Sequence, residues 1–425
     1  MHCDPRFSRV REVFERHFAD GEELGAAFAV YQDGELVVDL WDGVADRNTG
    51  RPWERDTPAF AYSCTKAVTA TVLLQLAERG LVDVSAPVAE VWPEFAARGK
   101  AAITVEHLLT HQSGLPVLEE PVPVEEFEDQ AAIAARLAAQ EPLWEPGTAH
   151  GYHALTYGFL VGEVVRRVTG KSVGELVAAE IAGPLGLEMW VGAPDDVIPR
   201  TARLKAAERP QALKVTEAGT APTGEGATTS EVAGAGAGQS AGAGQGAAGA
   251  GAAGAGAEEQ GRPDDVMAAM TRAALDPQSL MNRALGNPAM HRVQGGANNP
   301  VILRAGWPAA GLVTTARGLA GFYRSLAAGD ILSPETLREA TRTRVNGPDR
   351  VLILNTAFGL GYMRPSLTFL MPSGSAFGHS GMGGSIGLGD PERGLGIAYV
   401  MNKMANALSG NLRGIRLVEA VYQSL

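Results

Sequence analysis

Residues 62–66 read Tyr-Ser-Cys-Thr-Lys and stand directly before the apolar run 67–76, which makes this stretch the most informative in the chain. The apolar run predicts a buried helix, with Ser63 and Lys66 in its first turn. Residues three apart on a helix share a face, with Cβ atoms about 5–6 Å apart, so the lysine amine can reach the serine hydroxyl. Free N–H groups and the positive dipole end of a first turn also favour a developing oxyanion. The stretch therefore predicts a nucleophile, its base and charge stabilisation within one turn.

A plainer interpretation treats Ser63 as a helix N-cap and Lys66 as a solvated first-turn side chain. The pattern has only two fixed positions, so a chance match in a chain of this length is ordinary. Of the six lysines in the chain, however, only Lys66 has a serine three positions before it. The choice between the two interpretations depends on the rest of the sequence.

The composition indicates a globular protein of enzyme size, because 425 residues that are 45% hydrophobic can bury a large core. A net charge of -12 at pH 7 disfavours nucleic acids and anionic membranes as partners, since both require a basic surface. Residues 1–20 lack the apolar core of a secretion signal, and no run is long enough to span a membrane. We therefore expect a cytoplasmic protein.

The cysteine content predicts neither a disulfide framework nor a metal site. Cys3 and Cys64 are the two cysteines of the chain, and their spacing matches no metal-binding pattern. Cys64, next to Ser63, is expected to be a small buried residue and not a second nucleophile.

Strand patterns lie near both ends of the chain, and helical patterns lie between them. Two β-rich runs around Asp33-Gly34 predict a hairpin over residues 25–41. Further strands are predicted over residues 358–362, 375–379, 384–390 and 395–401, and a last helix within residues 408–425. This order predicts an α+β fold with one antiparallel sheet flanked by helices. We expect a single domain over residues 1–425, with the sheet from about 1–60 and 305–425 and a helical part at about 61–300.

Residues 216–263 form a low-complexity stretch rich in glycine and alanine, with few large apolar side chains. Such a composition cannot offset the entropy of ordering, so we expect a disordered insertion. Residues 244–249 formally match the dinucleotide fingerprint Gly-x-Gly-x-x-Gly, but no strand precedes them and no suitable helix follows. No cofactor is expected.

Two other segments can complete a serine site. In the segment 144–154, Tyr152 precedes a helical pattern and can carry a second proton, although a core tyrosine explains the same pattern. The segment 378–385 is dense in glycine after a strand pattern, which allows its backbone to approach a ligand closely. A backbone N–H there can share an oxyanion hole with that of Ser63, although a tight hairpin or bulge is an equally plain interpretation.

Together, the three segments resemble the motifs of the serine β-lactamase and penicillin-binding-protein superfamily, in the same order and at similar separations. The segments are Ser63-Cys64-Thr65-Lys66, Trp144-Glu145-Pro146-Gly147 with His150-Gly151-Tyr152, and Gly378-His379-Ser380-Gly381. The resemblance runs from about residue 28 to residue 403, outside the low-complexity stretch. It is closest to the class C β-lactamase-like esterases, the family VIII carboxylesterases, and it implies the β-lactamase/transpeptidase-like fold.

The resemblance implies a role for each matching residue. Ser63 is the nucleophile that becomes acylated, Lys66 is its base, and Tyr152 relays protons to and from the leaving group. The backbone N–H groups of Ser63 and Met382 form the oxyanion hole. His379, Ser380 and Gly381 of the third segment bind the substrate.

Two departures from the class C pattern bear on the substrate. His379-Ser380-Gly381 replaces Lys-Thr-Gly, so the lysine that would pair with a substrate carboxylate is missing, and a histidine is mostly neutral at pH 7. Tyr152-His153-Ala154 replaces Tyr-x-Asn, so the asparagine that would bind a substrate amide is missing. Both departures favour uncharged esters over β-lactams and peptides.

The resulting hypothesis is a serine hydrolase that cleaves small carboxylic esters through an acyl-enzyme. A β-lactamase, a D-amino-acid peptidase or an acyltransferase on the same fold is the first alternative. The second alternative is a catalytically silent binding protein, which has no physical need to keep Ser63, Lys66 and Tyr152 together. The sequence does not indicate the physiological substrate or the oligomeric state.

Overall fold

The computed structural model of the protein describes residues 1–207, 263–407 and 409–425. These residues belong to one structural unit by their mutual contacts. The predicted insertion at 216–263 lies outside the described residues except for Pro263, which begins a helix. The fingerprint-like residues 244–249 lie outside them as well.

The described residues form helices and strands that are numbered here in chain order. The α-helices are α1 Ser8–Ala19, α2 Thr65–Glu78, α3 Val105–Leu109, α4 Gln130–Ala139, α5 Thr156–Thr169, α6 Val173–Leu176, α7 Gly183–Leu185, α8 Pro263–Leu275, α9 Leu280–Gly286, α10 Pro300–Ala305, α11 Ala316–Ala328, α12 Pro334–Thr341 and α13 Leu412–Tyr422. The strands are β1 His2–Cys3, β2 Gly25–Gln32, β3 Glu35–Asp46, β4 Arg51–Pro52, β5 Ala59–Phe60, β6 Met189–Val191, β7 Leu312–Thr314, β8 Val345–Pro348, β9 Asn355–Phe358, β10 Phe377–Ser380, β11 Ile386–Asp390 and β12 Leu395–Met401.

The main sheet joins strands from the two ends of the chain. Its order is β1-β3-β2-β12-β11-β10, with β4 paired to β3, and all of its pairs are antiparallel. The predicted hairpin is confirmed, because β2 and β3 pair across Asp33 and Gly34, which both have positive φ. The predicted antiparallel sheet and the β-lactamase/transpeptidase-like fold are likewise confirmed.

Both faces of the central strands are buried, and alternate residues supply two separate cores. On one face, Phe28 and Tyr399 pack with α1 and α13. On the other face, Ala27 and Ala398 belong to the core that contains α2 and α11. The small residues on this second face leave room for helices to lie close to the sheet.

Helix α2 is buried from Thr65 to Gln75, without an exposed face. A helix that is apolar all round belongs in the centre of a large core, as residues 67–76 predicted. The turn before α2 lies between two strands: Ala61 N–H donates to Leu312 O of β7 at 2.8 Å, and Cys64 Sγ donates to His379 O of β10 at 3.4 Å. Strand β10 is the last of the main sheet, so this turn is held at the sheet edge.

One of the predicted strands is wrong for most of its length. Residues 358–362 were expected to be extended, but β9 ends at Phe358. Gly361 has φ 79°, and its N–H donates to Gly359 O at 2.8 Å, which folds the chain back on itself. The other three predicted strands overlap β10, β11 and β12. Among the described residues, none of the helices combines the length and the hydropathy that a membrane span requires.

Candidate active site

Ser63 lies in a short 3-10 turn, Tyr62–Cys64, that leads directly into α2. Among residues 57–76, Ser63 alone is partly exposed, and all the others are buried. Tyr62 has φ 45°, in the left-handed region that a bulky residue rarely adopts, and its carbonyl accepts from Thr65 Oγ1 at 2.5 Å. Backbone strain of this kind persists where the surrounding structure fixes it. Here the strained residue, Tyr62, directly precedes Ser63, whose hydroxyl is the accessible one among residues 57–76. The N-cap of α2 is Cys64, whose side chain makes no capping bond, so Ser63 is not the cap of that helix.

The amine of Lys66 is fully buried and has three oxygen neighbours. Its Nζ lies 3.2 Å from Ser63 Oγ, 2.7 Å from Ala154 O and 3.1 Å from Ala309 O. Burial lowers the pKa of Lys66 well below its ordinary value, because the charged form loses its hydration. The interpretation of Lys66 as a solvated side chain is therefore wrong.

In the neutral form of Lys66, which burial favours, the hydrogen count of the amine fixes its orientation. A neutral amine has two N–H groups and one lone pair, and a carbonyl oxygen can only accept. Ala154 O and Ala309 O therefore take the two N–H groups, and the lone pair is directed at Ser63 Oγ. This is the arrangement in which an amine can remove the serine proton.

Tyr152 completes the group around Ser63. It is buried, and its ring centroid lies 4.7 Å from Lys66 Nζ. Burial raises the pKa of the phenol, and the Ser63 hydroxyl acts in the opposite direction as a hydrogen-bond partner. Tyr152 is therefore a phenol at neutral pH and can donate a proton. The structure thus brings together the three residues that the sequence predicted to be catalytic.

His153 ties the Tyr152 segment to the loop after α3. Its Nδ1 donates to Gly151 O at 2.6 Å, so Nε2 must accept, and it does so from Leu115 N–H at 3.2 Å and from Ser113 Oγ at 2.8 Å. Burial is the main cause that lowers the pKa of His153 to about 3. His153 is thus a neutral cross-link, a role that its position in the motif did not reveal.

The third motif packs on the Ser63 turn through its backbone. At Gly381 a Cβ would lie 2.4 Å from Ala61 O, so any side chain there would push β10 away from the nucleophile. Gly381 N–H donates to Ser385 O at 2.7 Å and Gly383 N–H to Ala407 O at 3.0 Å. Within the described residues, the Met382 N–H between them has no recorded partner, as an oxyanion-hole donor requires.

The side chains of His379 and Ser380 point to opposite faces of the sheet, as successive strand residues do. The Ser380 hydroxyl contacts Ser409 Oγ and Met363 Sδ. The ring of His379 lies on the Tyr152 side, with a centroid distance of 6.1 Å. Contacts of His379, Ser380 and Gly381 with substrate stay predictions.

His379 is neutral and offers an acceptor to its surroundings. Its Nδ1 lies 2.8 Å from Ser380 O, so Nδ1 carries the hydrogen. Burial and then the charge of Lys66 lower the pKa of His379 to about 3. The Nε2 lone pair is buried and has no partner among the described residues. A lone pair facing a substrate carboxylate would repel it.

Asp349 is a residue of the site that the sequence interpretation missed. Its Oδ1 accepts from Tyr152 N–H at 3.0 Å, across almost two hundred positions of sequence. The only local signal was a turn pattern, Gly347-Pro348-Asp349, which does not say what the carboxylate binds. In the described part of the chain, no cluster of three or more histidine, cysteine or acidic side chains is suited to hold a metal ion.

Known proteins resemble this chain in sequence and in structure. The sequence matches the Beta-lactamase protein family over residues 10–422. It is 35% identical over 416 residues to esterase/beta-lactamase LipL of Mycobacterium tuberculosis (strain ATCC 25618 / H37Rv), covering 96% of this chain and 83% of that protein. A penicillin-binding protein homolog from Caulobacter crescentus has a similar structure, with TM-score 0.79, 37% identity and coverage of 100% of this chain and 99% of that one. A family VIII carboxylesterase is similar as well, with TM-score 0.79, 34% identity and the same coverage of both chains.

Proposed function

Since the chain belongs to the beta-lactamase family, it is a serine hydrolase, and we propose that it cleaves small uncharged carboxylic esters through an acyl-enzyme on Ser63. The observation that carries the proposal is the orientation of Lys66. Two backbone carbonyls bind the N–H groups of its neutral amine, which leaves the lone pair for the Ser63 hydroxyl.

In the acylation step, Ser63 Oγ attacks the ester carbonyl carbon while its proton moves to Lys66 Nζ. The negative charge that develops on the carbonyl oxygen is stabilised by the N–H groups of Ser63 and Met382. When the C–O bond to the alcohol breaks, Tyr152 donates its phenolic proton to the leaving oxygen. The ammonium of Lys66 returns a proton to the phenolate, which leaves an acyl-Ser63 ester and a neutral Lys66.

The deacylation step uses the same groups in reverse. A water molecule loses its proton to the Tyr152 and Lys66 pair as it attacks the acyl carbon, again with the oxyanion at the two N–H groups. The proton returns to Ser63 Oγ as the acyl bond breaks, and the carboxylic acid is released. No metal or organic cofactor is needed to balance either step.

The substrate preference follows from the neutral state of His379. A cationic side chain at this position would pair with a substrate carboxylate, and charge-assisted hydrogen bonds are roughly twice as strong as neutral ones. His379 instead presents an unprotonated Nε2. Ala154, for its part, offers no side-chain amide to a substrate. Uncharged esters are therefore favoured over β-lactams that bear a carboxylate.

The cytoplasmic location stays a prediction.

The purified protein should be assayed with chromogenic esters of rising acyl length beside one chromogenic cephalosporin. We expect ester turnover to exceed cephalosporin turnover by about 100-fold or more at pH 7.5. A cephalosporin rate that rivals the best ester would favour the β-lactamase alternative. The absence of turnover and of covalent labelling at Ser63 would favour a binding protein.

A further inference from the structure

A single buried carboxylate, that of Asp349, holds the backbone of Tyr152. Asp349 is 2% exposed. Its Oδ1 accepts from Tyr152 N–H at 3.0 Å, and also from the N–H groups of Val351 and Leu352, both at 2.8 Å. Its Oδ2 accepts from Thr356 Oγ1 at 3.0 Å. Within the described residues it has no ion-pair partner, so hydrogen bonds alone satisfy it.

These bonds divide into a local set and one distant bond. The bonds from Val351, Leu352 and Thr356 close the turn that follows Asp349 in sequence, a common use of aspartate. The bond from Tyr152 instead joins this turn to the catalytic segment. A second link runs parallel to it, since Arg350 N–H donates to His150 O at 3.1 Å. Two hydrogen bonds therefore hold the turn after β8, at residues 349–352, against residues 150–152.

The neighbouring N–H groups of that segment have acceptors of their own. Gly151 N–H donates to His111 O at 3.0 Å, and His153 N–H donates to His111 Nδ1 at 3.1 Å. Each of three successive N–H groups thus has a fixed acceptor, and Asp349 supplies the one for Tyr152 itself. A ring whose Cα is held in this way has little freedom to move away from Ser63.

We propose that Asp349 is a positioning residue of the reaction, which holds Tyr152 at the distance from Ser63 where the phenol can protonate the leaving alcohol. The inference rests on the proposed function. It adds a residue that touches neither substrate nor nucleophile and acts through Tyr152. Displacements on the order of 1 Å can cost about 100-fold in rate, so the loss of this one bond is measurable.

The identity of the leaving group separates this role from a general effect on folding. A nitrophenolate leaves without a proton, whereas an alkoxide such as ethoxide must be protonated as the bond breaks. A misplaced Tyr152 therefore harms the ethyl ester of an acid much more than the nitrophenyl ester of the same acid. A smaller folded fraction would lower both rates equally.

Two substitutions divide the functions of Asp349. In Asp349→Ser, the shorter hydroxyl can still accept from the local N–H groups of the turn but does not reach Tyr152 N–H. In Asp349→Asn, one oxygen remains to accept the three N–H groups, and the new NH2 donates to Thr356 Oγ1, whose own hydroxyl turns to donate to its other neighbour, His150 Nε2. Asp390→Asn is the matched control: it is a buried acid bonded to Ser375 and Tyr422, at the far end of β11.

The measurement is kcat/KM, which reports acylation, for the two esters with each variant. In Asp349→Ser we expect a loss about 100-fold greater for the ethyl than for the nitrophenyl ester, in the same direction as Tyr152→Phe. Asp349→Asn and Asp390→Asn should keep the wild-type ratio between the two esters.

Two results would overturn the inference. One is a folded Asp349→Ser variant with the wild-type ratio, and the other is an Asp349→Asn variant that loses as much as Asp349→Ser. The proposed function is tested separately, by the turnover of the unmodified protein with both esters. Active wild-type protein with an unchanged ratio in Asp349→Ser therefore refutes the role of Asp349 alone.

Discussion

The Nζ of Lys66 lies 4.7 Å from the centroid of the Tyr152 ring, and both side chains contact the hydroxyl of Ser63. The two residues therefore both lie next to the Ser63 hydroxyl. Burial shifts their pKa values in opposite directions, down for Lys66 and up for Tyr152, so burial favours the uncharged form of both. In the proposed mechanism, the neutral amine of Lys66 accepts a proton and the phenol of Tyr152 donates one.

Loss of Lys66 and loss of Tyr152 are expected to be strongly non-additive, because the two form one proton relay in which Lys66 returns a proton to Tyr152. Lys66→Met conserves the buried volume of the side chain and removes the base, and Tyr152→Phe removes the acid. Each substitution should slow single-turnover acylation by an ethyl ester by on the order of 10³-fold. The double variant should be little slower than the slower of the two single variants. A double variant with the full product of the two effects would show that the residues act independently.

Ser63 is expected to be the one residue acylated by a fluorophosphonate. Intact-protein mass spectrometry should show a single adduct, which disappears in Ser63→Ala. The matched control is Ser385→Ala, which removes a buried hydroxyl near Met382 that has no partner among the described residues. An adduct that persists in Ser63→Ala would identify another nucleophile.

The pH dependence of kcat/KM is expected to report the deprotonation of Lys66. Only the neutral amine is a base, so activity should be full above the pKa of Lys66 and fall as the pH drops through it. Because burial lowers this pKa, the fall lies well below the ordinary lysine value of about 10.4. His153 and His379, each with a pKa of about 3, stay neutral in that range. The fall of kcat/KM at low pH should therefore remain in His379→Gln. Its disappearance in that variant would contradict the assignment of the fall to Lys66.

His379→Lys is expected to shift preference towards esters that carry a carboxylate. The ratio of kcat/KM for a carboxylate-bearing ester to that for a neutral ester should rise about 10-fold, since one charge-assisted bond is gained in a buried position. The new cation should also lower the pKa of Lys66 further and move the acidic limb to lower pH. His379→Gln keeps the site neutral and serves as the control. An equal rise in both variants would mean that charge is not the cause.

Removal of the low-complexity stretch is expected to leave folding and turnover intact. A short Gly/Ser linker in place of residues 216–262 keeps Pro263, at which α8 begins. Loop-closure entropy changes only slowly with length, so the melting temperature should move little. Thermal unfolding and ester turnover measure the outcome, and a fall of many degrees would show that the stretch packs on the rest of the protein.

Local patterns were sufficient for much of the fold. The hairpin at Asp33-Gly34 follows from turn chemistry, and burial of α2 follows from a largely apolar run without a charged residue at positions 67–76. The sheet shared between the two chain ends follows from strand patterns placed on either side of helical ones. Residues 358–362 show the limit: the pattern is β-rich, yet the left-handed Gly361 turns the chain. A single glycine can serve a strand or a turn, and its neighbours in sequence do not say which.

Some features of the candidate site likewise follow from local sequence, and others depend on residues far apart in the chain. By itself, the sequence determined that Ser63 and Lys66 share the start of a helix, because their spacing fits one turn. Only the tertiary structure decided where the Lys66 amine is held, since the carbonyls of Ala154 and Ala309 that it contacts come from 88 and 243 positions away. The acceptor for Tyr152 N–H, Asp349, is 197 positions away. The type of a residue determines which hydrogen bonds its side chain can make. Tertiary packing brings distant acceptors to hydrogen-bond distance and excludes the water that would otherwise keep the pKa of Lys66 at its ordinary value.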